Sequence, residues 1–125
     1  MGYKERVDLF IESVYRYIKM FNLGEYDVVI EPSDDKNIFG SCEWFDYEDG
    51  TQSIIISFSK PWFENAKEIT RHEIKEVAFH EVCELLLSEL NQIANERFIE
   101  KREITKAVHR IVRRLEFLAT EEGFL

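Results

Sequence analysis

The feature that most constrains this chain is the helical run KEVAFHEVCELLLSEL, Lys75 to Leu90, which carries His80, Glu81 and Glu84 where a buried helix would hold leucine. At about 100° per residue, Ile74, Val77, Ala78 and Leu85 gather on one side with Glu81 among them. Phe79, Val82, Cys83, Leu86, Leu87 and Leu90 cover much of the remaining circumference, so the helix is expected to be buried on more than one side. A buried ionisable group without a partner is strongly destabilising. A histidine and two glutamates this close therefore require mutual pairing or a metal ion. We read them as metal-binding.

The spacing has a physical meaning. His80-Glu81-Val82-Cys83-Glu84 has the form HExxE, and positions i and i+4 of a helix point the same way about 6 Å apart, so His80 and Glu84 can bind one ion. Glu81 is rotated by about 100° and is placed to hold a water in the ion's open position. His72-Glu73-Ile74-Lys75-Glu76 repeats the pattern. It lies on the polar first turns, however, where Thr70 and Glu73 form a capping box, so this copy is read as structural. A rise of 1.5 Å per residue sets His72 about 12 Å along the axis from His80, too far to share an ion.

The rest of the chain reads as a frame around this helix. Val7, Phe10, Ile11, Val14, Ile18 and Phe21 recur at helical spacing from Tyr3 to about Met20, and Gly24 is expected in the left-handed position after that helix. Strands are expected at Tyr26 to Glu31, Ile38 to Tyr47 and Thr51 to Ser59, the last two joined by an Asp49-Gly50 hairpin turn. Ile54-Ile55-Ile56 with Phe58 makes the third strand the most apolar, and Lys60-Pro61-Trp62 breaks it. The long helix then runs from Thr70 to about Ala94. A final helix, Glu103 to Ala119, buries Ile104, Val108, Ile111, Leu115 and Leu118. The order α-β-β-β-α-α implies an α+β fold: an N-terminal helix, a three-stranded antiparallel sheet, and two helices forming a hairpin. A turn near Asn95 to Arg97 would bring His109 level with Glu84 across that hairpin. Two imidazoles and one carboxylate with an open position make a catalytic rather than a structural zinc set.

Composition narrows the partners. With 125 residues, 45% of them hydrophobic, the chain fits one domain, 1–125, with a real core. A net charge of −9 without a dense basic cluster argues against nucleic acid and anionic membranes. No apolar run approaches the roughly 20 residues of a membrane span, and the N-terminus lacks a signal-peptide core, so a cytoplasmic protein is the simplest expectation. Cys42 and Cys83 are expected as two reduced thiols.

AFHEVCELLLSEL followed by AVHRIVRRLE resembles the small zincin-like metallopeptidases, many of them from phages and prophages, whose usual form is HExxH with a glutamate from the next helix. Glu84 stands where that family has histidine, and His109 where it supplies the carboxylate. The resemblance implies a minimal zincin-like fold, a Zn2+ cofactor held by His80, Glu84 and His109, and Glu81 as catalytic general base. It also implies a peptide or protein substrate, aligned by the third strand. The alternative is a zincin-like frame without catalysis, kept as a protein-binding module.

Overall fold

The computed structural model describes residues 1–50, 52–96 and 98–123. Among these, the chain runs α1 (Tyr3–Met20), β1 (Val28–Ser33), β2 (Gly40–Asp46), β3 (Gln52–Ser59), α2 (Lys60–Asn65), α3 (Arg71–Leu86), α4 (Ser88–Ala94) and α5 (Lys101–Glu121). The fold is α+β, with the N-terminal helix, the sheet and the C-terminal helices in the expected order. Thr51, the expected start of the third strand, and Arg97, the end of the expected turn, lie outside the described residues.

The sheet is mixed rather than antiparallel. Its order is β1-β3-β2, with β3 parallel to β1 and antiparallel to β2. The hairpin at Gly50, whose φ is 86°, reverses the chain as Asp-Gly predicts. It returns β3 into the middle of the sheet, between its neighbours, rather than to an edge. The reason lies in composition: β3 carries Ile54, Ile56 and Phe58, all buried, and the central place pairs its backbone on both sides while its apolar face meets the helices.

That face is covered by α1 and α3, which pack along each other. Leu9, Phe10, Val14 and Ile18 of α1 meet Ile74, Ala78, Val82 and Leu85 of α3 and the inner residues of β3 in one core. The rings of Phe10, Phe58 and Phe63 close its end, with Phe58 and Phe63 stacked at 4.9 Å. Buried Arg6 donates from Nη1 to the carbonyls of Phe63 and Ala66, each at 2.9 Å, and so fastens α2 to α1.

Four local expectations are corrected. Asn22, with φ 55°, takes the left-handed position after α1 that was assigned to Gly24; asparagine tolerates this region because its short side chain bonds locally. Lys60-Pro61-Trp62 does not simply end β3 but starts α2. Ser59 accepts from the Trp62 N–H as N-cap, and Pro61 sits in the first turn, where its missing N–H is harmless. The long helix divides at Leu87 into α3 and α4. Finally, α5 leaves Ile104, Val108 and Leu115 exposed, while Leu118 packs on the core. The Thr70 cap is formed as expected, with the Glu73 N–H donating to Thr70 Oγ1 at 3.1 Å.

Candidate metal centre

On α3 the inward arc is Ile74, Ala78, Val82 and Leu85, all buried. Glu81 lies at the edge of that arc and is only 4% exposed, whereas the side chains of His80 and Glu84, further round, are 70% and 49% exposed. The three are one constellation. Their candidate ligand atoms all lie within 4.8 Å of one another, with His80 Nε2 3.4 Å from Glu84 Oε1. Among the described residues this is the group of three or more such side chains close enough to hold one ion.

The electrostatics of the group are those of a crowded pair of acids. Burial, and then the charge of and a hydrogen bond to Glu84, push the Glu81 carboxyl up to about 8. Its Oε2 is buried and has no hydrogen-bond partner. Buried polar atoms normally have partners, so this oxygen is a donor atom in want of a proton or a cation. Cys42, on β2 beside the group, is pushed up to about 12 by burial and then by the charges of Glu81, Glu84 and Glu43, so it stays a thiol. Cys42 and Cys83 are both free.

The second wall is β2, the edge strand on this side of the sheet. Gly40 allows it to come close: a Cβ there would stand 3.0 Å from the Ser57 carbonyl oxygen, 3.0 Å from Val77 Cγ1 and 3.2 Å from Glu81 Cγ. The bond from Ser59 N–H to Phe39 C=O sets the phase of the antiparallel ladder. Ser41, Glu43 and Phe45 therefore direct their backbone groups to β3, and Gly40, Cys42 and Trp44 direct theirs to the open edge. A cleft of about 410 Å³ lies between residues 37–40 and Glu76, Val77, His80 and Glu81. A second, of about 560 Å³, lies between Cys42, Trp44, Glu84, Leu87, Leu90 and Ala94. Both clefts border β2, with His80 and Glu81 lining the first and Glu84 the second.

His109 is not brought to this group. It is exposed on α5, which is held elsewhere: Arg110 pairs with Glu89 of α4, and Arg114 reaches Glu25 and the Asn22 carbonyl. The hairpin therefore joins α4 and α5, not α3 and α5. The His72–Glu76 pair is likewise exposed and separate. The third strand, expected beside the site, is central with both edges paired; β2 takes that position. Gly40, Cys42 and Trp44 were not singled out as site residues from the sequence. A glycine inside a strand was the one available signal, since it marks close backbone approach.

Fold and group thus define an α+β chain with a one-histidine, two-carboxylate cluster beside an open sheet edge. No family model, no curated protein and no solved structure matches it. Among the described residues, no helix is long and apolar enough to cross a membrane.

Proposed function

We propose that the chain is a zinc-dependent peptidase of the zincin-like kind, in which His80 and Glu84 hold the ion and Glu81 is the general base. The observation that supports this most is the convergence of these three side chains around a buried, unpartnered carboxylate oxygen. An imidazole nitrogen with carboxylate oxygens suits zinc among the divalent cations, so the donor set fits. His109, which lies outside the group, enters as the third ligand that the resemblance implies, and it is tested separately.

When bound, the ion supplies Lewis-acid polarisation of a carbonyl and lowers the pKa of a water. The chain's own residues account for the rest. Glu81 Oε2, held away from solvent by α3 and β2, accepts the proton that hydrolysis releases from water and returns it to the leaving amine. Gly40, Cys42 and Trp44 offer backbone groups to an extended peptide added at the β2 edge, and the two clefts receive its side chains.

Metal content by mass spectrometry, on protein purified without chelating resin, tests the reading. The expected result is about one zinc per chain in the wild type, lost in His80→Ala, reduced in His109→Ala, and kept in Glu81→Gln, which abolishes peptide hydrolysis. A wild type that takes up no metal after dialysis against zinc overturns it and leaves the non-catalytic binding module.

A further inference from the structure

Among the described residues, the face of α5 that the chain itself covers is narrow. Ala107 is buried, Leu118 packs on the core, and Arg114 turns toward Asn22 and Glu25. Next to this face runs a second stripe, Ile104, Val108, Val112 and Leu115, at positions i, i+4, i+8 and i+11, each between 40% and 45% exposed. At about 100° per residue the four fall within roughly 80° of one another, one continuous seam on one side of the helix. The helix thus carries an apolar arc of roughly 140°, of which its own chain covers less than half.

The charges of α5 are also segregated. Lys101, Arg102, Lys106, Arg110, Arg113 and Arg114 occupy its first two thirds against Glu103 alone, while Glu116, Glu121 and Glu122 close its end, and the last turn holds no basic residue. This order opposes the helix dipole, which favours acids at the start and bases at the end.

We propose that α5 pairs antiparallel with α5 of a second copy of this chain. That arrangement answers both observations together. Centred between Val108 and Val112, it sets Ile104 against Leu115 of the second copy and closes the two stripes on each other. It also brings Lys101 and Arg102 within one turn of Glu116 of the second copy, twice by symmetry, and opposes the two dipoles. Arg110 and Arg114 are already paired within the chain, with Glu89 and Glu25, so the charge match with a reversed copy is carried by Lys101 and Arg102 against Glu116 at each end; a partner of uniform charge would match only one end. Two helices of this length bury on the order of 1,000 Å² in total, the low end of specific interfaces, so the dimer dissociates on dilution.

Sedimentation velocity over a concentration series tests this with the full chain. The wild type shifts from monomer to dimer as concentration rises. Val112→Glu stays monomeric with unchanged helical circular dichroism. Glu116→Lys, an exposed change that leaves the fold intact, weakens association by about tenfold, and the swap K101E/R102E/E116K restores it. A wild type that is monomeric throughout, a dimer indifferent to Val112→Glu and Glu116→Lys, or a swap that fails to restore association overturns the proposal.

Discussion

Replacing Glu81 by glutamine should stabilise the metal-free protein, by an amount that depends on pH in a defined way. Burial and the neighbouring Glu84 raise the Glu81 carboxyl from its ordinary 4.5 to about 8 in the folded chain. The folded state therefore holds a proton that the unfolded state has already lost. Stability falls as pH rises through that window, since it declines wherever the native state binds more protons. At about 1.4 kcal/mol per unit, the loss is near zero at pH 4, about 3 kcal/mol at pH 7 and about 5 kcal/mol once both states are ionised. Glutamine has the same shape, carries no charge, and can donate to Glu84, so Glu81→Gln removes the pH-dependent part and leaves the packing. Urea denaturation of both proteins in chelator, from pH 4 to 9, measures it. The curves should coincide near pH 4 and separate by about 3 kcal/mol at pH 7, roughly 10 °C in Tm. Curves that run parallel across the range would refute the assignment of a buried, proton-holding carboxylate. Added zinc should stabilise both proteins at neutral pH, because the ligands His80 and Glu84 are unchanged in Glu81→Gln.

The remaining predictions concern the frame. Gly40→Ala places a Cβ 3.0 Å from the backbone oxygen of Ser57, which cannot yield. It should lower stability by about 1–3 kcal/mol in chemical denaturation and, by displacing Glu81, whose Cγ is 3.2 Å from that Cβ, slow peptide hydrolysis. Thr70→Ala removes the acceptor for the Glu73 N–H and should lower stability by about 1 kcal/mol, with metal content unchanged. His72→Ala breaks an exposed pair with Glu76 and should alter neither stability nor metal content, which separates the two HExxE copies by experiment.

What could be read from the sequence was what one element dictates to itself. The arc of Ile74, Ala78 and Leu85, the burial of Glu81, the adjacency of His80 and Glu84, and the Thr70 cap all follow from 3.6 residues per turn and are present, whereas Val77 of that arc is only half-buried and Phe79 and Leu87, expected to be covered, are exposed. The hairpin at Gly50 followed from a local φ preference in the same way. Strand order did not, because it is settled by competition: Asp49-Gly50 permits β3 to pair on either side of β2, and only the burial of Ile54 and Ile56 against α1 and α3 selects the central place. The edge that borders the site changed with it, from β3 to β2.

The position of α5 was set by terms of a third kind. Helical spacing carries the long helix unbroken from Thr70 to about Ala94, and the break at Leu87 makes α4 a separate helix. Glu89 of α4 then meets Arg110, and Arg114 meets Glu25. Ion pairs at the surface are worth little singly, and the face of this doubly apolar helix that turns inward is marked by buried Ala107 and core-packed Leu118. The consequence for the site is a division of its risks. His80, Glu81 and Glu84 lie on one helix, and their convergence survives any placement of α5. A third ligand from position 109 depends on that placement entirely. Loss of metal in His80→Ala therefore tests local geometry, whereas loss in His109→Ala tests where α5 lies when the ion is bound. A protein that needs the first residue and not the second would hold its ion with the residues of α3 alone.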